Sequence, residues 1–250
     1  MERQEKFPIT HRDWERLARE KLEHGPFSYI EGNAGLGETY KANRGGFKDW
    51  KLCPRALQNV ANRDLSIELF GQKYDYPVLV APMGVQRIMN REGELASSRA
   101  AANLGVPFIV STASSYSMEE VADVMGKAPR WFQLYWGKDN EITLSMLRRA
   151  EKSGYSAIVL TVDSATAGWR VKDLENNYSP FRQGIGMANF FTDPVFCSQL
   201  VKQPEEDMTA AISYFYSIFG NEALSWNDLA FLRENTKLPI ILKGIVNPLD

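Results

Sequence analysis

Four short apolar runs in this chain each end in groups that can hydrogen-bond or carry charge. Phe108-Ile-Val closes on Ser111 and Thr112, Trp131-Phe on Gln133 and Tyr135, Ile158-Val-Leu on Thr161 and Asp163, and Ile240-Ile-Leu on Lys243. If the runs are strands, Gln133 and Tyr135 point to one side, and so do Thr161 and Asp163. A single polar residue at a strand end usually does no more than satisfy a backbone group. The same pattern on four runs instead points to one shared polar site. Lys243 is the sharpest of these residues. An ammonium behind Ile-Ile-Leu must be paired, face something electron-rich or reach water with its head. Arg170, in Gly168-Trp-Arg170, carries the planar donor pair that grips a carboxylate, although spacing alone reads it as a solvated loop arginine.

Other chemistries find little support. His11 and His24 lie in the N-terminal stretch and read as surface or packing residues, so the strand-end groups include no proton acceptor tuned near neutral pH. No glycine-rich dinucleotide motif or P-loop follows a strand. Asp163 is a lone carboxylate, and neither Cys53 nor Cys197 has a metal-spaced neighbour, so no metal site is expected. Two cysteines make no disulfide framework, and the charged opening Met-Glu-Arg-Gln-Glu-Lys is no signal peptide; a reducing, cytoplasmic location is expected. A net charge of −2 argues against nucleic acid or an anionic membrane as partner.

The elements that must position these residues alternate. Apolar runs at 77–83, 107–112, 131–136, 157–163 and 239–244 are separated by helical stretches at 92–104, 118–125, 141–153 and 225–235. Buried strands alternating with amphipathic helices mean βαβ units and a parallel sheet. The expected fold is α/β, a TIM (β/α)8 barrel of which about the first five strands are present, with an N-terminal helical segment. Residues 1–250 are expected to be a single partial domain: helices and a bottom cap over 1–76, then barrel strands over 77–250. Thr10 caps a first helix that Gly25-Pro26 breaks, a short aromatic segment follows at 27–30, and a polar helix runs from Glu38 to Asn43. A long lid spans 164–224, too long for a plain connection, with a helix from Pro204 to Gly220 that buries Met208, Ala211, Ile212, Phe215 and Phe219. The chain closes at Asp250, seven residues after Lys243, and is expected to be a truncated barrel.

Several motifs together carry a family resemblance. Phe27-Ser-Tyr-Ile-Glu-Gly32, Ala81-Pro-Met-Gly84, Trp131-Phe-Gln-Leu-Tyr135, Leu160-Thr-Val-Asp163 with Gly168-Trp-Arg170, and Leu238-Pro-Ile-Ile-Leu-Lys-Gly244 occur in order. From about residue 10 to its end the chain resembles the FMN-dependent 2-hydroxy-acid oxidases and dehydrogenases. Its lid, with Thr192-Asp-Pro-Val-Phe196 and Pro204-Glu-Glu-Asp207, is most similar to that of lactate 2-monooxygenases.

The resemblance implies FMN across the C-terminal mouth of the barrel and oxidation of an L-2-hydroxy acid, L-lactate foremost, with oxygen as electron acceptor. It implies that Pro82, Met83 and Gly84 pack against the flavin ring and that Ser111, Gln133 and Thr161 bond its polar edge. Lys243 would sit by N1 and the C2 carbonyl, favouring the anionic reduced ring. Tyr29 and Arg170 would hold the substrate carboxylate and Tyr135 the substrate oxygen, with Tyr135 and Arg170 the catalytic residues. Ala113 replaces a bulky aromatic of some relatives, which implies a wider pocket or one filled from the lid. The family's catalytic histidine, its companion arginine and its phosphate-binding strands lie beyond a fifth strand, so this chain alone is expected to be inactive. A homo-oligomer is implied for the full-length protein. Two rival readings remain at this point: a non-catalytic flavin-binding or assembly chain of the same ancestry, and a barrel that binds a phosphorylated ligand.

Overall fold

The computed structural model describes residues 7–250. Along the chain it forms α1 (His11–Lys21), α2 (His24–Glu31) and α3 (Glu38–Gly46), then the hairpin β1 (Ile67–Leu69) and β2 (Gln72–Tyr74). There follow α4 (Gly93–Asn103), β3 (Phe108–Ser111), α5 (Met118–Met125), β4 (Arg130–Leu134), α6 (Asn140–Lys152) and β5 (Ile158–Thr161). The lid segment holds α7 (Val171–Glu175), α8 (Ala188–Phe191), α9 (Pro194–Ser198) and α10 (Met208–Ile218), and the chain goes on through α11 (Leu229–Asn235) to β6 (Ile240–Lys243). The described residues fall into two compact units, one of residues up to Trp50 with Trp169–Ser179, the other of Lys51–Gly168 with Pro180–Asp250.

In the helical unit, Thr10 caps α1 by accepting from the Asp13 N–H at 3.2 Å, as its spacing implies. The aromatic segment after Gly25-Pro26 is itself a helix. Gly25-Pro26 does not break α1, which has already ended at Lys21 where Leu22 turns extended; Pro26 falls in the first turn of α2, where its missing N–H has no acceptor to lose.

The larger unit is built on four parallel strands in the order β3-β4-β5-β6, joined by helical crossovers. The run at 77–83 contributes less than its sequence suggests. Only Val80 pairs, its N–H donating to Pro107 O at 2.9 Å and its carbonyl accepting from Ile109 at 3.1 Å. Pro77 and Pro82 lack the donors that a longer ladder would need.

Strand periodicity sorts the side chains onto two faces. Phe108, Val110, Phe132, Leu134, Ile158 and Leu160 join the main core with α5, α6 and the lid helices. Ile109, Trp131, Ala157 and Val159 form a second core on the opposite face, joined by Ile241 and by Leu69 of the hairpin. The hairpin turns through Phe70 and Gly71, both at positive φ (53° and 73°), the paired left-handed conformation that matches strand twist. Phe70 thereby meets Trp131 edge-on at 5.8 Å.

The lid has its own core, with Phe181, Phe190, Phe196, Phe215 and Phe219 in mutual ring contact. Its long helix starts at Met208 and not at Pro204, because Asp207 caps it by accepting from Ala210 N at 3.0 Å. Met208 is 41% exposed, so the buried stripe is Ala211 and Phe215 with Ile212 and Phe219 beside them.

Candidate active site

The inner face, apolar at the N-terminal ends of the strands, turns polar at their C-terminal ends. Ser111, Gln133 and Thr161 are buried there in one hydrogen-bonded row. The Ser111 hydroxyl donates to Gln133 Oε1 at 2.9 Å, and Gln133 Nε2 donates to Thr161 Oγ1 at 2.9 Å. The Ser111 oxygen also accepts from Ala113 N at 3.1 Å. After these bonds the Thr161 hydroxyl proton and the second amide proton of Gln133 remain to donate outward. Thr112, by contrast, ties two strands together, since its hydroxyl donates to Gln133 O at 2.6 Å and accepts from Tyr135 N at 3.0 Å.

Lys243, across the ladder from Thr161, extends the row. Its ammonium donates to Asp163 Oδ2 at 3.0 Å, so the partner that its position demands comes from the same chain. Burial opposes the charge on Asp163, yet bonds from Ser164 and Lys243 together with the lysine charge outweigh it and hold the carboxyl below its ordinary range. The Cβ of any other residue at Gly244 (φ +115°) would lie 2.6 Å from the Asp163 side chain, so glycine is required for this approach. Tyr135 packs edge-on against Phe219 of the lid at 5.5 Å. Burial pushes its phenol above the usual value, with the Lys243 charge opposing and the Asp163 charge adding to the rise. Tyr135 therefore stays protonated at neutral pH and can donate. It borders a cavity of about 290 Å³ lined also by Thr161, Ser164, Phe219, Trp226 and Gly244.

Pro82, Met83 and Gly84 follow Val80 and begin a tight turn. A Cβ at Gly84 would meet Ala113 O at 2.4 Å, which no side chain can satisfy. The next residue, Val85, is β-branched and buried at φ 50°, with its N–H on Ala113 O at 2.9 Å. Met83 is half-exposed above this turn. Ala113 itself is buried.

In the helical unit, Tyr29 and Arg170 meet directly. The Arg170 guanidinium lies over the Tyr29 ring, 4.7 Å from its centre, and Nη2 donates to Tyr29 O at 2.6 Å while Nε bonds Asp173. The guanidinium is thus oriented by its own unit, with Nη1 and the second Nη2 proton left to donate. Both histidines are exposed helical residues, and His24 Nε2 contacts Asn176 Oδ1 at 3.1 Å. Among the described residues no acidic, histidine or cysteine cluster could hold a metal ion, and no helix is long and apolar enough to cross a membrane.

Asn189 of the lid gave no sign in the sequence. It is fully buried, donates to Ser111 O and Thr112 O at 3.1 Å each, and accepts from Met118 N at 2.8 Å. A lone asparagine in a four-residue helix carries no pattern to find; only the fold brings it under the strand end.

A parallel barrel sheet with a donor row and a cation at its C-terminal mouth defines an α/β-barrel enzyme site suited to a flat, acceptor-rich ring. The FMN-dependent dehydrogenase family model matches residues 18–250, and the chain belongs to that family, whose cofactor is FMN. It is 42% identical to an L-lactate oxidase of Lysinibacillus sphaericus over 244 residues, 98% of this chain and 62% of that protein. It is 38% identical to human 2-hydroxyacid oxidase 1, covering 94% of this chain and 62% of that one. Among solved structures, mandelate oxidase superposes with a TM-score of 0.80 at 33% identity, over 96% of this chain and 64% of that one. A mandelate oxidase variant carrying an FMN adduct superposes at 0.77. The chain spans less than two thirds of the length of these relatives.

The residues present fit the flavin. The ring's polar edge offers mainly acceptors, and the row offers spare donors on three adjacent strands, from Gln133, Thr161 and Lys243, with Ser111 holding the Gln133 amide in place.

Proposed function

We propose that this chain supplies the flavin-ring and substrate-oxygen side of a cytoplasmic FMN-dependent oxidoreductase for L-2-hydroxy acids, L-lactate foremost, of the lactate 2-monooxygenase type. Oxygen is the electron acceptor, and the full-length protein is a homo-oligomer. The observation that carries the reading is the buried Ser111–Gln133–Thr161 row continued by Lys243. Bound FMN would accept the hydride from the substrate carbon. Ser111, Gln133 and Thr161 orient the ring through its polar edge, over a floor of Pro82, Met83 and Gly84. Lys243 would place positive charge beside N1 and C2=O, and Tyr135 would donate a hydrogen bond from its phenol to the substrate oxygen. Tyr29 and Arg170 take the carboxylate.

No base for the hydroxyl proton is evident among the described residues. Tyr135 is held protonated, Asp163 is held ionised and weakly basic by Ser164 and Lys243, and His11 and His24 are exposed helical residues, His24 engaged with Asn176. The chain alone is therefore proposed to bind flavin without turning over the acid. The test is anaerobic mixing of the chain with excess FMN and L-lactate, with the Lysinibacillus oxidase as reference. Flavin perturbation without bleaching is expected. Bleaching near the reference rate overturns the assignment of the missing base, and unperturbed flavin overturns the ring site. Lys243→Met is expected to lower the potential of bound flavin; an unchanged potential in a redox titration would place the lysine elsewhere.

A further inference from the structure

Below the Pro82-Met83-Gly84 turn lies a buried polar cluster to which the proposed chemistry assigns nothing. Glu94, near the start of α4, is fully buried. Its Oε1 accepts from Gln86 N and from Ser115 N, both at 3.0 Å, so one carboxyl oxygen joins the turn after Val80 to the turn after β3. Gln86, also buried, donates its amide Nε2 to Met83 O at 2.9 Å and accepts from Ser97 Oγ at 2.6 Å. Ser115 Oγ accepts from Arg87 N at 3.3 Å. The other carboxyl oxygen, Oε2, is buried with no hydrogen-bond partner.

That arrangement is costly. A buried oxygen without a partner forfeits the hydration it had in the unfolded chain, and a β-branched residue at Val85's φ of 50° adds backbone strain. Leucine in place of Glu94 would fill the space with no unpaired oxygen. What leucine lacks is an acceptor for two backbone N–H groups that arrive from different loops. Strained turns persist only where their surroundings over-determine them, and here the surroundings are these bonds. Desolvation raises the carboxyl above its ordinary range, so the group is disposed to be neutral and needs no counter-ion to remain in place.

We infer that Glu94 and Gln86 are positioning residues: Glu94 locks the two turns together, and Gln86 carries that lock to the Met83 carbonyl and so sets the height of the floor beneath the flavin ring. The last link rests on the flavin reading above; the locking of the turns does not.

The experiment uses the 250-residue chain and lumiflavin, which has the ring without the phosphate, together with peptide-resolved hydrogen exchange. Glu94→Leu is expected to speed exchange in segments 83–87 and 113–116 at least tenfold, leaving α6 unchanged, and to weaken lumiflavin binding at least fivefold. Glu94→Gln keeps an acceptor oxygen and is expected to restore both to within about twofold. Gln86→Leu is expected to weaken lumiflavin while leaving the 113–116 segment protected. Glu94→Leu with unchanged exchange overturns the lock whether or not flavin binds. Faster exchange with unchanged lumiflavin affinity overturns the link to the floor. A failure of the unmutated chain to bind lumiflavin overturns the flavin reading and with it the floor, while the exchange arm still decides the lock.

Discussion

Lys243 and Asp163 fix each other's charge, and Glu94 titrates in the opposite sense. Asp163 lies below the ordinary aspartate value of 3.8, so its contribution to stability is full above that value and is lost as pH falls through the folded value. Lys243→Met is expected to return the Asp163 carboxyl toward 3.8, measured by carboxyl-carbon NMR titration; an unmoved titration would show that Ser164 alone holds it. Glu94 lies above the ordinary glutamate value of 4.5. Its contribution is full below 4.5 and is lost as pH rises through the folded value. Glu94→Gln is expected to flatten that loss, so that its urea midpoint gains on the unmutated chain as pH is raised from about 4.5 to neutral. Parallel midpoints across that range would mean that the carboxyl is ionised when folded. The two groups were unequally legible in the sequence. Asp163 and Lys243 end apolar runs, where a charge is conspicuous. Glu94 sits among the acids that a helix start ordinarily shows to solvent, and nothing in Glu92-Gly-Glu94 tells which of the two acids turns inward.

Among the elements, periodicity located β3 to β6 and the helices between them, because a buried strand and an amphipathic helix each leave a repeat in the sequence. It failed where one residue's meaning depends on its neighbours. Pro26 belongs to the first turn of α2 and not to the end of α1, which stops at Lys21, and Pro77 and Pro82 reduce an apolar run to a single bridge at Val80. The attachment of the lid was illegible for another reason: its anchor is a contact between distant residues. Arg149 of α6 bonds both Glu119 oxygens at 2.9 Å, Asp193 Oδ2 at 3.0 Å, Thr192 Oγ1 at 2.7 Å and Asn189 O at 2.7 Å. Asp193 is fully buried and also caps α9 through Val195 N and Phe196 N. Asp193→Ala removes one of the two carboxylates on the Arg149 guanidinium, Glu119 remaining, together with the α9 cap, and is expected to cost about 2–3 kcal/mol. Limited proteolysis should then cut first within 188–200; cleavage elsewhere first would show that the aromatic core, and not Arg149, holds this part of the lid.

At the scale of the larger unit, β6 pairs on one side only among the described residues, and an unpaired parallel edge invites association. The 250-residue chain is expected to sediment as a heterogeneous set of oligomers; a monodisperse monomer with one cooperative melting transition would count against this. The hairpin has a different consequence. With Leu69 and Phe70 seated against Trp131, the inner face is stoppered at the end opposite the donor row. Water and small ions can reach Lys243 from the mouth, whereas from beneath they meet Ile109, Trp131, Val159 and Ile241. The Lys243 side chain is itself 40% exposed, so salt arriving through the mouth screens the ammonium there, while the wall behind it stays hydrocarbon. The plug thus governs from which end water and ions arrive, and the pull of the ammonium on an anionic ring weakens as salt enters at the mouth. Prising out the stopper by Phe70→Ser would admit water to Trp131 from the far end of the strands, without altering a single group that lines the mouth.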